Sequence, residues 1–452
     1  MQKALNNYDY SLQDILEKSN TGRIISSILS DPRKFWIVFL LFYLTMVQIA
    51  ELPRSLKSEP HGDIKLYERV MRNISDGSIP YKDFQLEYPP YALSFFVIPS
   101  MFKTTEGFRI AFGIQVLLAD ILIKILLFWL ALKFYRQIKT GNSKEGENNE
   151  LLPIPVFFPV LVFSLVTAPN HYFYLQRYDL FPAFVCLLMM VALYKGNFFL
   201  AGLFLMLGAG IKLYPVLFFI PLLVYAAFSK NTTKFLSGVV IGGIPLLLFS
   251  LFMPWWKFLE FHSTRGLQCE SLWAGIIWLL HRIGLFGAKW TFTRAWVEVT
   301  GSASSNVLTV AKIVWILGTV LAIFLATIFI RNAHKSNHPL EFTQLVQILL
   351  AVLTVFVAFN IILSPQYLIW ISIFAALAAI GRWTLYITLF VIAGILTPFI
   401  YPGLNYGTGL GLLETIILLI RNLCLIAAVV LIFKQLPLKH ISLKSVHENK
   451  PV

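Results

Sequence analysis

The stretch from Glu51 to Pro90 carries His61, Asp63, Glu68, Asp76, Asp83 and Glu87 among its ionisable side chains, a carboxylate density that the rest of the chain does not approach. A carboxylate held near a hydroxyl can take its proton as that oxygen becomes a nucleophile. Asp63 is the first candidate for such a base and Asp83 the second; Glu87 lies close by, and His61 would assist the base or orient the acceptor. Each has a plainer reading. Asp63 precedes IKLYERV, where an aspartate also serves as a helix cap. Asp83 would equally fasten the turn at Pro80-Tyr81. Surface histidines are often simply solvated. Pro80, Pro89 and Pro90 restrict the backbone here, which points to a folded loop rather than a plain connector.

The elements that must hold this loop are apolar. The 452-residue chain is 57% hydrophobic and 13% charged, against about 25% charged in soluble domains, which places it in the membrane class. Runs such as Phe35 to Ala50, Phe235 to Pro254 and Val307 to Ile330 are about long enough to cross a ~30 Å hydrocarbon core. The net charge of +14 comes from Lys and Arg in short connectors between apolar runs. That pattern reports orientation, with basic loops on the cytoplasmic side, so no nucleic-acid partner is expected. Cys186, Cys269 and Cys424 are too far apart to suggest a metal site.

The expected architecture is an all-α polytopic bundle of about twelve crossings with both termini inside. Crossings are predicted at 35–52, 107–134, 152–168, 180–194, 197–211, 216–228, 235–254, 307–330, 342–362, 367–381, 384–399 and 411–433. Residues 1–34 form a cytoplasmic segment, too polar and too long for a cleaved signal, and 434–452 a basic cytoplasmic tail. The transmembrane catalytic domain, 35–433, has its first outer loop at 53–106 and its second at 255–306, the latter with a short apolar segment that re-enters. Tyr91 to Phe102 is too short to cross and contains Pro99, so it reads as a juxtamembrane helix along the outer face.

Sorted by side, the polar residues collect outside. Arg177 and Asp179, Lys212, His262, Arg265, Gln268, Glu270, Gln366 and Tyr367 all join the first loop there. Ionisable groups at the membrane boundary usually face a cavity or a partner. Arg177, Lys212 and Arg265 suit a phosphate, and the carboxylates suit a hydroxyl nucleophile; sugar transfer to an alcohol needs both. Arg177 with Asp179 would also make a plain ion pair, and Lys212 would also snorkel. Asp120 and Lys124, four apart in one helix, read as a buried pair joining helices.

These residues carry a resemblance. GDIKLYERV and DGSIPYKDFQLEYPP after the first helix, QRYDLFPA at 176–183, IKLYPVLFFIPLL at 211–223, STRGLQCESLWA at 263–274 and SPQYLIW at 364–370 resemble, in the same order, segments of the GT-C glycosyltransferases. The resemblance is closest to glycosyltransferase family 87 and spans roughly residues 35–375. It implies a GT-C-like helical bundle that moves a hexose, with mannose the expected one, from a polyprenyl-phosphate sugar. The acceptor would be a hydroxyl on a cell-envelope glycan or glycolipid, and the transfer would invert the anomeric centre. Asp63 matches the catalytic aspartate of the family's first outer loop.

The site would face the periplasm of a bacterial membrane, or the endoplasmic-reticulum lumen in a eukaryote. Arg177, Lys212 and Arg265 would bind the donor phosphate. Glu87, Tyr88, Asp179, His262, Gln268, Glu270, Gln366 and Tyr367 would bind substrate. No cofactor is required, although a divalent metal is compatible, since cations alone can steady a phosphate leaving group. The rival class is a transporter or flippase for a lipid-linked or anionic solute. That class calls for charges at the bilayer midplane and paired broken helices, whereas these charges gather on one face.

Overall fold

The computed structural model describes residues 20–57, 63–142, 152–293, 296–301, 304–335, 340–400 and 409–436. The N-terminal segment as far as residue 19, His61, the YPGLNYG turn and the tail beyond residue 436 lie outside the described residues. After a short helix α1 (Asn20–Leu29), α2 spans Pro32–Lys57. The Asp31 carboxylate accepts the Arg33 amide at 3.0 Å, and Pro32 takes the first helical position, where its missing N–H costs nothing. Helix α3 (Asp63–Ser75) buries Ile64, Tyr67, Val70 and Met71, one stripe at helical spacing. Gly77 ends it at φ 88°. There Ser78 N–H reaches Asn73 O at 2.9 Å and Gly77 N–H reaches Ile74 O at 3.0 Å, a Schellman turn.

The bundle follows: α4 (Ser94–Ser100), α5 (Thr105–Asn142), α6 (Phe158–Thr167), α7 (His171–Tyr174), α8 (Leu180–Tyr194), α9 (Phe198–Ile211), α10 (Phe219–Phe228) and α11 (Thr232–Ser250). Then come α12 (Phe258–Ser263), α13 (Leu272–Arg282), strands β1 (Ala288–Thr293) and β2 (Trp296–Gly301), and α14 (Ser304–Lys335), α15 (Phe342–Ala358), α16 (Tyr367–Ala378), α17 (Leu385–Ile400) and α18 (Leu412–Gln435). Five of these, α2, α5, α11, α14 and α18, are long and apolar enough to cross a membrane by length and composition. The other expected crossings are shorter apolar helices, two of them lengthened by 3-10 turns at Ile154–Phe157 and Tyr214–Phe218. The protein is an all-α polytopic membrane protein, with Pro90–Ser100 as the anticipated short helix.

Helices α15 and α16 are buried on nearly every face, as an all-round apolar helix must be, and form the centre. Helix α2 is at the edge and exposes Trp36, Phe39, Phe42 and Tyr43. Helices α9 and α11 touch backbone to backbone: a Cβ on Gly202 would overlap the Phe235 carbonyl, and one on Gly238 the Phe199 carbonyl. Small residues at such a contact let van der Waals packing do what the hydrophobic effect cannot do between helices in lipid. On α5, Lys124 meets Asp120 at 2.6 Å and donates to Gln48 (2.9 Å) and Thr45 (3.0 Å) on α2, while the Tyr174 hydroxyl donates to Asp120 at 2.7 Å. The i,i+4 pair therefore ties three elements together.

One element departs from the helical expectation. Strands β1 and β2 pair antiparallel, with Trp290 opposite Val299 and Ala288 opposite Gly301. Their alternation buries Ala288, Val297 and Val299 against Leu267, Trp278 and Leu410 in a second, smaller core. Period-two patterning this short is easily masked between long apolar runs. This core seats the second loop on the helix ends, where Gln268 N–H bonds Ile361 O at 3.0 Å and the Trp273 indole bonds Phe359 O at 2.9 Å.

Candidate functional site

Three cation–carboxylate pairs form one cluster where the first loop, the second loop and the ends of α8, α9 and α16 meet. Asp63 is the first residue of α3, and its Oδ2 is in direct contact with Arg177 Nη1. Tyr67, one turn further along α3, directs its hydroxyl to the same oxygen at 3.4 Å. Lys212 closes α9 with extended backbone, and its ammonium meets Asp179 Oδ1 at 2.5 Å. Arg265 Nη2 donates to Glu87 Oε2 at 2.6 Å. His262 Nε2 lies 3.0 Å from the Glu87 carbonyl oxygen.

The pairs sense one another. Burial, first of all, and then the charge of Asp63 raise the Glu87 carboxyl above its usual range, while Arg265 and Lys212 oppose the shift. The His262 imidazole is pushed down to about 4, first by desolvation and then by Arg265, although the residue as a whole is exposed. Buried tyrosines line the cluster: Tyr88 meets Tyr178 at 4.8 Å and Tyr67 at 5.9 Å between ring centroids. Accessibility separates the carboxylates. The Asp63 side chain keeps 20% of its surface and Asp179 only 1%, so Asp63 can meet an incoming hydroxyl and Asp179 is sealed.

The remaining sequence candidates fall into place around this cluster or away from it. Asp83 is exposed, and its carboxylate accepts the Ile79 amide at 2.7 Å, closing the turn in which Tyr81 sits at φ 65°. Tyr88 is buried, and its carbonyl accepts the Tyr81 hydroxyl at 2.5 Å. Gln268 donates to Ser364 Oγ at 2.9 Å and so braces the two turns. The backbone carbonyl of Glu270 accepts from Arg421 at 2.9 Å and Asn422 at 3.4 Å, on the last helix. Gln366 is buried just before Tyr367, whose ring stacks on Trp370 at 3.9 Å. Arg177 and Asp179 are not a pair with each other: Arg177 holds Asp63, and Asp179 holds Lys212.

Sequence reasoning missed Tyr67 and Trp370. Tyr67 lies four residues after Asp63, the spacing that puts two side chains on one helical face. Trp370 was in plain view within SPQYLIW, and a buried indole N–H needs an acceptor. Its partner, Asp179, is too distant in sequence to name. Among the described residues, no three His, Cys, Asp or Glu side chains group as metal ligands.

A helical membrane body with bases and cations gathered at one end is the frame of a membrane glycosyltransferase. The family comparison points to that class: the model of glycosyltransferase family 87 matches residues 86–303, just under half of the chain. The match takes in Glu87, Arg177, Asp179, Lys212 and Arg265; Asp63 and Trp370 lie beyond its ends. No curated protein matches the chain.

Proposed function

We propose that the protein moves a hexose, mannose being the one expected, from a polyprenyl-phosphate sugar to a hydroxyl of a glycan or glycolipid on the outer face of the membrane. The contact between Asp63 and Arg177 carries this reading, because it joins a solvent-reached carboxylate, suited to act as a base, to a cation suited to a phosphate. A donor phosphodiester brings an anion to Arg177 that competes with Asp63 for the guanidinium. Once displaced, Asp63 accepts the acceptor's proton while Tyr67 fixes one carboxylate oxygen. The acceptor oxygen bonds the anomeric carbon from the face opposite the phosphate, the carbon–oxygen bond to phosphate breaks, and the configuration inverts. The departing phosphate takes the electron pair, and Arg177, Lys212 and Arg265 offset its added charge.

The experiment is transfer of labelled sugar from polyprenyl-phosphate-mannose by purified protein in lipid, wild type against Asp63→Asn. Transfer lost in the variant with donor binding kept supports both the reaction and the base. An unchanged rate in Asp63→Asn removes Asp63 from that role. Donor binding without turnover on any acceptor moves the reading to a lipid-linked solute carrier.

A further inference from the structure

The geometry points to Trp370 as a positioning residue that fixes the Lys212 ammonium for a phosphate, acting through Asp179. This rests on the donor chemistry proposed above. A lysine ammonium has three donors on a flexible stem and ordinarily takes many directions. Lys212 is not left so loose. Its Nζ meets Asp179 Oδ1 at 2.5 Å and lies 4.7 Å from the Tyr178 ring centroid and 5.0 Å from that of Trp370. Two aromatic faces and one carboxylate oxygen therefore set where the charge sits.

Trp370 does more than supply one of those faces. Its indole N–H donates to the same Asp179 Oδ1 at 2.8 Å, so ammonium and indole share one acceptor. The indole is itself held, stacking with Tyr214 at 4.4 Å and with Tyr367 at 3.9 Å. A sealed carboxylate facing one cation would bind it tightly and quench it. Sharing the oxygen with an N–H draws off part of its negative charge, leaving the ammonium able to meet a second anion. Asp179 then serves the phosphate site indirectly, as the joint between Trp370 and Lys212, rather than by touching sugar.

The test is binding of polyprenyl phosphate to the full chain in nanodiscs, for wild type, Trp370→Phe, Lys212→Met and the double variant. Phenylalanine keeps an aromatic ring in the stack and removes the N–H together with the pyrrole part of the indole. Trp370→Phe is expected to weaken binding about tenfold, the scale of one hydrogen bond to a charged group. In the Lys212→Met background it should weaken binding no further, because residues acting as a unit are not additive. Wild-type affinity in Trp370→Phe, or losses that simply add, would overturn the inference; a general loosening of the fold predicts the additive result. If Trp370→Phe does not fold, Trp370→Leu takes its place in the same cycle with the same expectation. Wild-type protein that binds no polyprenyl phosphate overturns the proposed function itself, which separates that failure from this one.

Discussion

The Asp63 carboxylate and the Arg177 guanidinium are in direct contact although 114 residues separate them in the chain. Under the proposed function the pair makes donor and base interdependent: an anion that claims Arg177 sets Asp63 free, and without one the carboxylate stays on the guanidinium.

Asp63→Asn is expected to lower the transfer rate by about 10²- to 10⁴-fold, the usual contribution of a positioned base, with donor affinity kept or raised, since the phosphate no longer competes with a carboxylate for Arg177. Arg177→Gln should act chiefly through the donor and raise its KM. Initial rates over a range of donor concentrations read both effects.

Asp83→Asn distinguishes the second candidate base. Its carboxylate closes a turn by accepting the Ile79 amide, a bond that the asparagine oxygen can still accept, so the variant should stay within about 0.5 kcal/mol of wild-type stability and transfer sugar at the wild-type rate. Thermal unfolding in detergent beside a rate measurement decides it. A loss of rate without a loss of stability would return Asp83 to the chemistry.

The pH dependence of stability should carry the signature of His262. Its ordinary value of 6.5 is pushed down to about 4 in the folded protein. Between those limits the unfolded chain binds a proton that the folded one refuses, so stability rises with pH there and is lost as pH falls from 6.5 towards 4. Glu87, raised by burial first, works oppositely: its contribution is lost as pH climbs above 4.5. His262→Gln should flatten the acid-side loss while leaving the Glu87 part. Unfolding midpoints at several pH values for both proteins show the difference; equal slopes would remove His262 as the cause.

Lys124→Met leaves Asp120 buried beside Tyr174 without its cation, which costs about 3–5 kcal/mol for a broken buried pair. Asp120→Asn with Lys124→Met should recover most of that, since the amide oxygen still accepts from Tyr174. Thermal unfolding of the two variants tests the order.

Much of this was legible in the sequence, and the limits follow from range. The helices announce themselves because each apolar run is local: 180–194 is predicted and observed with the same ends. The gathering of polar groups at one end follows from the alternation of helices. The pairing inside the cluster does not, because a cation has several acids within reach and only packing chooses among them. That is why Arg177 was set beside Asp179 in the chain yet meets Asp63 in space. The hairpin was hidden for a different reason: AKWTFT and WVEVTG are too short to stand out against their surroundings.

The bond from Arg421 and Asn422 to the Glu270 carbonyl turns chain order into a schedule. A chain synthesised only as far as Ile400 has Arg177, Lys212 and Arg265 along its length, and the second loop still lacks two of the donors that hold it. The last helix to be made therefore completes the seat of the second loop.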